Sequence, residues 1–146
     1  MRIAIVVSRF NDFVTDRLLE GAQQWLREQG IKDHDVELLR VPGAFEIPMA
    51  AQRIAETGRV AAVICLGCLI KGATPHFDYI ASACAHGITA AAGATGVPMS
   101  FGVLTTNSVE EALERAVAGE GNKGREAAQA ALEMARLFAS LGEHRS

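Results

Sequence analysis

The chain has 146 residues, enough for one self-sufficient domain over residues 1–146 that buries about 68–70% of its unfolded surface. Hydrophobic residues make up 49% and charged residues 21%, which excludes a disordered chain and a disulfide miniprotein. The net charge of -3 argues against a general nucleic-acid binder, because phosphate contacts need a concentrated basic surface, and leaves only a local anion site open. Aromatic residues are 5% and glycines number 14, so the core must rely on small side chains and close contacts between elements. Met1-Arg2 leads directly into Ile3 to Val7 and then Ser8-Arg9, too short an apolar run for a signal sequence. Val60 to Ile70 is likewise too short to span a bilayer, which takes about 20 residues. The expectation is a cytoplasmic protein with no membrane partner, and the three cysteines, an odd number for a secreted framework, agree with a reducing compartment.

In chain order, Ile3 to Val7 is a β-branched run without polar alternation, the signature of a strand covered on both faces. Phe13, Val14, Leu18, Leu19, Ala22, Trp25 and Leu26 recur at helical spacing, with Gly30 as a stop. Val36 to Val41 is the second strand, and a second helix follows with Pro48 in its first turn and Gly58 beyond its end. Val60 to Ile70 is the third strand. Thr74 as cap and Pro75 at the first helical position open a third helix to about Ala94, and Met99 to Leu104 is the fourth strand. Ser108 and Glu111 form a capping-box pattern for a fourth helix. Gly119 to Gly124 interrupts it, and helical spacing resumes from Glu126 to Leu141. This alternation predicts an α/β fold: a three-layer α/β/α sandwich around a four-stranded parallel flavodoxin-like sheet.

In such sheets ligands bind beyond the carboxyl ends of the strands, which makes the residues just after each strand the informative ones. Phe10 reads either as a staple on its own helix or as a surface for stacking a planar ring. Glu46, after Gly43-Ala44-Phe45, reads either as a charge favourable to a helix N-terminus or as an acceptor for ligand hydroxyls. Lys71 to His76 combines small residues, a helix start able to seat an anion, and an imidazole, which is either a solvated surface histidine or a proton carrier. His34 and His144 read as loop or tail residues, and His86 lies mid-helix. Arg115 is either an ordinary cation at a helix end or, with Lys123 on its glycine-flanked break, part of an anion site. Cys65 and Cys68 form a C-x-x-C inside a strand, where positions three apart face opposite sides; they read as core cysteines, and no second pair completes a metal set. Neither G-x-G-x-x-G after a strand nor G-x-x-x-x-G-K-[ST] occurs.

Five clusters together resemble the 6,7-dimethyl-8-ribityllumazine synthase family: Arg9-Phe10-Asn11, Val41 to Pro48, Gly67 to Tyr79, Phe101 to Thr106, and Gly121-Asn122-Lys123-Gly124. The resemblance covers nearly the whole chain. It implies condensation of 5-amino-6-(D-ribitylamino)uracil with 3,4-dihydroxy-2-butanone 4-phosphate, a penultimate step of riboflavin synthesis whose functional partner is riboflavin synthase. No metal and no cofactor is implied. By the resemblance Phe10 stacks on the pyrimidine, and Asn11, Ala44, Phe45 and Glu46 surround the ring and ribityl chain. Cys68, Leu69 and Ile70 offer main chain to the pyrimidine edge. Ala73, Thr74 and Arg115 bind phosphate, His76 transfers protons, and Phe101 and Lys123 line the ligand. It further implies that Phe101, Arg115 and Lys123 come from a neighbouring subunit of a homo-oligomer, with the pentamer as minimal unit.

Two departures stand out. Lys71 occupies a position where many relatives carry Arg, keeping the charge and losing the planar fork. The chain starts at the first core strand, where many members have a preceding segment that adds to a neighbour's sheet; another element is then expected to cover that edge. Ala118 to Asn122 lacks the insertion of fungal pentamers, which leaves a 60-subunit shell open. Two other classes of function compete: a shell that binds flavin-like rings without turnover, which retention of His76, Arg115 and Lys123 opposes, and a phosphoryl-acceptor signalling domain, which needs an Asp after the first or third strand that is absent.

Overall fold

The computed structural model describes residues 1–143; His144 lies outside them. Four strands, β1 (Ile3–Ser8), β2 (Val36–Val41), β3 (Ala62–Ile70) and β4 (Met99–Thr106), form one all-parallel sheet in the order β2-β1-β3-β4. Five helices accompany them: α1 (Asp12–Glu28), α2 (Ile47–Glu56), α3 (His76–Thr95), α4 (Val109–Glu114) and α5 (Lys123–Glu143). Because successive strand residues point to opposite faces, the central strands serve two cores. Ile3, Ile5 and Val7 join Ile64, Leu66 and Cys68 under α1, α4 and α5, while Ala4 and Val6 join Val63 and Cys65 under α2 and α3. This is the three-layer, flavodoxin-like arrangement. Each fully buried Leu or Ile of these layers contributes about 1.5–3 kcal/mol by leaving water.

The edges depart from the sequence reading in a physically simple way. β1 is buried at every residue, whereas β2 alternates and leaves Leu38 and Arg40 exposed, and β4 leaves Phe101 and Thr105 exposed. β4 continues two positions beyond its apolar run, through Thr105, which an edge strand can turn outward, and Thr106, which is buried with its hydroxyl donating to Ser108 O at 2.9 Å; the two pair with Leu69 and Ile70. β3 starts later than its apolar run, at Ala62.

Helix ends follow backbone chemistry. Gly30 and Gly58, with φ of 83° and 75°, lie just past the caps of α1 and α2, where a left-handed residue is needed. Ser108 Oγ accepts from Glu111 N at 3.1 Å, and the Glu111 carboxylate reaches back to Asn107 N at 3.0 Å, one residue earlier than a standard capping box. The third helix is capped by Pro75 rather than Thr74: the Pro75 carbonyl accepts from Asp78 N at 3.1 Å, and Thr74 stays in the preceding loop.

α5 begins at Lys123, earlier than the spacing from Glu126 predicts. Asn122, 1% exposed, explains the early start. Its Oδ1 accepts from Arg125 N at 3.0 Å, and its Nδ2 donates to the carbonyls of Arg17 at 3.2 Å and Ala116 at 3.1 Å. One side chain thus caps α5, closes the loop after α4 and ties both to α1. Small residues make room for it: a Cβ on Gly21 would strike the Asn122 amide. Further along, α5 meets the sheet and α1 through Ala127, Ala128, Ala131 and Ala135, all buried, and Gly102 of β4 leaves space for Ala127. As expected for positions three apart in a strand, Cys65 and Cys68 lie in different cores, and all three cysteines are buried and free. No helix among the described residues is long and apolar enough to cross a membrane.

Candidate active site

The carboxyl ends of β1, β2 and β3 meet at one end of the sheet. After β1 the chain is zipped to the exit of β2, with Arg9 N donating to Val41 O at 2.8 Å and Phe10 N to Pro42 O at 3.0 Å. The Phe10 ring is left 66% exposed. It lines an open groove of about 640 Å³ together with Pro42, Gly43, Ala44, Phe45, Glu46, Leu69, His76, Tyr79 and Ile80. Phe45 and Tyr79 are also 60% and 71% exposed. Three exposed aromatics lining one groove offer apolar surface of the kind that a planar ring or a protein partner covers.

Local structure sets each of these side chains. Gly43 opens a short 3-10 turn over Ala44–Glu46 that runs into α2, and Glu46 Oε1 accepts from Gly43 N at 2.9 Å. One oxygen of Glu46 is thus committed to the turn, and the residue also lines the groove. Ala44 is buried at the groove floor. At the end of β3, Leu69 packs in the α2–α3 core and reaches the groove, while the Cys68 side chain turns into the opposite core. Cys68 is 1% exposed, and its main-chain carbonyl accepts from Asn11 Nδ2 at 2.9 Å. Ile70 is half-buried, and Lys71, Ala73 and Thr74 are exposed in the loop before His76, whose first residue is tied down by Lys71 N donating to Thr106 O at 2.9 Å. His76 is the first residue of α3, and Tyr79 and Ile80 follow it by three and four positions, on the same helix face. The i, i+3 and i, i+4 spacing of Tyr79 and Ile80 from His76 is a sequence signal for their place on the groove.

The remaining candidates lie elsewhere. Phe101, Arg115 and Lys123 line a second open groove of about 620 Å³ along the free edge of β4, with Glu126, Ala127 and Ala130. Arg115 ends α4, its guanidinium donating to Glu111 O at 3.0 Å, and its own carbonyl accepts from Lys123 N at 2.8 Å. The two cationic residues are thus stitched together through the main chain. Lys123 Nζ lies 2.7 Å from Glu126 Oε2, an exposed pair of small energetic weight that an incoming anion can displace. No residue lines both grooves.

Among solved structures, the chain is similar to a de novo designed Rossmann fold protein at 26% identity, over 77% of this chain and 90% of that one, with a TM-score of 0.41. It is also similar to a GDP-L-fucose synthetase from Naegleria fowleri at 13% identity, over 95% of this chain and 44% of that one, with a TM-score of 0.38. Likeness at these scores bears on neither site nor activity. The sequence profile described as 6,7-dimethyl-8-ribityllumazine synthase, by contrast, matches residues 1–139. The chain belongs to the lumazine synthase family, transferase-type enzymes of riboflavin biosynthesis.

Proposed function

We propose that the protein condenses 5-amino-6-(D-ribitylamino)uracil with 3,4-dihydroxy-2-butanone 4-phosphate, releasing phosphate and water, at a site built from two copies of the chain. The observation that carries this reading is that Phe10, Ala44, Phe45, Glu46, Leu69 and His76 line one groove while Phe101, Arg115 and Lys123 line another, with no residue in common. The aromatic groove supplies Phe10 for the pyrimidine ring, Phe45 and Ala44 for its surroundings and Glu46 for the ribityl side, with Asn11 and the main chain of Cys68, Leu69 and Ile70 beside it at the ring edge. A neighbour's cationic groove supplies Phe101, Arg115 and Lys123, opposite the Ala73-Thr74 loop and His76. A closed ring satisfies every site with one repeated contact, which is why the pentamer is the proposed minimal unit and larger shells of such rings remain compatible with it.

The chemistry suits this construction. A primary amine attacks a ketone, phosphate leaves, and a ring closes with loss of water; both reactants are intrinsically reactive, so no metal or redox group is required. Holding them in register contributes about 7 kcal/mol when the reacting atoms are well aligned. His76 moves protons during imine formation and elimination, and Arg115 holds the phosphate and stabilises it as charge develops on departure. The test is to mix both substrates with the protein and follow lumazine fluorescence together with phosphate release. Equimolar formation of both products, above the uncatalysed rate, is the expected result. Tight product binding with no rate above background would instead establish a binding shell.

A further inference from the structure

We propose that Asn11 is a positioning residue: its side-chain amide fastens the turn that carries Phe10 to the end of β3, fixing the gap between the aromatic wall and the main-chain edge at Cys68–Ile70. The identity of the ring held in that gap rests on the reading above, whereas the strut itself rests on backbone geometry.

Asn11 is the one non-glycine residue with positive φ among those described, at φ 62° and ψ 43°. It stands at the N-cap of α1, where an asparagine ordinarily turns its side chain back to a first-turn N–H. It makes no such bond. Its main-chain carbonyl instead takes Val14 N at 2.9 Å and Thr15 N at 3.1 Å, and the amide is sent 57 positions along the chain to Cys68 O at 2.9 Å. The reason lies in the sheet. Pairing of β1 with β3 stops at Val7 and Leu66, while β3 runs on to Ile70. Beyond that point the Cys68 carbonyl has no strand partner on the β1 side, and the Asn11 amide takes the place of the missing ladder bond.

The other flank of the turn is held equally firmly. Arg9 and Phe10 donate their N–H groups to Val41 and Pro42 at the exit of β2, and Thr15 Oγ1 donates to Ser8 O at 2.8 Å. Phe10 is thus carried by a turn bonded to both neighbours of β1, and Asn11 is the link to β3. Asparagine meets both demands at once: it tolerates the left-handed conformation better than other side-chain-bearing residues, and it brings a donor that glycine lacks. A substrate-contacting role alone would not require this conformation.

The test uses the assembled enzyme and two variants. Asn11→Gly keeps the backbone free to adopt positive φ and removes the amide; Asn11→Asp keeps the shape and an acceptor oxygen but cannot donate to Cys68 O. In both, KM for the pyrimidine substrate is expected to rise ~10-fold, as for a slight misplacement of a binding wall, with KM for the phosphate substrate unchanged. Hydrogen–deuterium exchange should quicken in both at residues 9–11 and 69–70 and nowhere else. Retention of the pyrimidine KM by Asn11→Asp, with loss only in Asn11→Gly, would overturn the proposal in favour of direct contact through Oδ1. So would unchanged exchange in both variants. If the wild-type protein has no activity, the functional reading fails while the exchange experiment still decides whether the strut exists.

Discussion

Gly124 lies against the main chain of Leu18 so closely that a Cβ at that position would run into the Leu18 carbonyl. The first turn of α5 and the middle of α1 are therefore joined backbone to backbone, beside the amide of Asn122. Gly124→Ala must push the helices apart, an overpacking cost of about 1–3 kcal/mol. Gly121, three positions earlier in the same cluster, faces open space, and Gly121→Ala is expected to leave stability within about 0.5 kcal/mol. Thermal unfolding of the two variants at one protein concentration checks this. Equal effects would show that the close approach is not what the glycines of this cluster provide.

His76→Ala and Arg115→Ala disable different grooves. Each variant alone is expected to be impaired, Arg115→Ala the more so because it also loses phosphate affinity. Unfolded together and reassembled at equal amounts, about a quarter of the interfaces in a closed ring then pair two intact halves, and activity should return to that level. Activity no greater than the average of the separate variants would place both residues in one chain's site and remove the shared-site proposal.

Thiol chemistry gives a second check on the layers. Burial pushes the Cys68 and Cys84 thiols up to about 11, and that of Cys65, which also has Cys84 nearby, higher still. The thiolate is the reactive form, so a disulfide reagent at pH 8 is expected to label none of the three cysteines in the native protein and all of them in denaturant. Rapid native labelling of Cys68 would mean that the end of β3 opens.

Glu37 on β2 is held below the usual carboxylate range, first by its bond to Arg59 at 2.9 Å, opposed by partial desolvation, and then by Arg2 at 3.1 Å. The depressed value makes its contribution to stability fully present above the ordinary glutamate value of 4.5 and lost as the pH falls through the lower folded value. Glu37→Gln should therefore narrow the stability difference between neutral and acidic solution, with a smaller effect in high salt. Parallel acid-unfolding curves for the two proteins would show that this cluster does not contribute.

What the sequence made legible was whatever repeats locally. The apolar runs located all four strands, and Gly30, Gly58 and the Ser108–Glu111 pair marked helix ends to within a residue or two, because each signal lies within one turn of the feature it specifies. Thr74 was a reasonable cap by composition, yet Pro75 takes the position, since its carbonyl suffices to start the helix. The misses depend on distance along the chain. Asn122 reads as part of a glycine-rich break until its amide is seen at Arg17, 105 positions away, and Asn11 reads as a residue near the ribityl chain, with no hint of its bond to Cys68, 57 positions away. Nothing in their own sequence shows that Phe101, Arg115 and Lys123 line a different groove from Phe10, because that separation depends on how the chain folds.

The alanine face of α5 makes the molecule respond asymmetrically to random change. At Ala127, Ala128, Ala131 and Ala135 there is almost no side chain left to delete, so the cavity-forming substitutions that damage most cores are unavailable. Apart from Gly and Pro, which weaken any helix interior, harm comes from growth, as a valine or leucine would wedge the helix away from the sheet beside Gly102. A saturation library across this face should therefore sort by volume rather than by hydrophobicity, serine being tolerated where isoleucine is not.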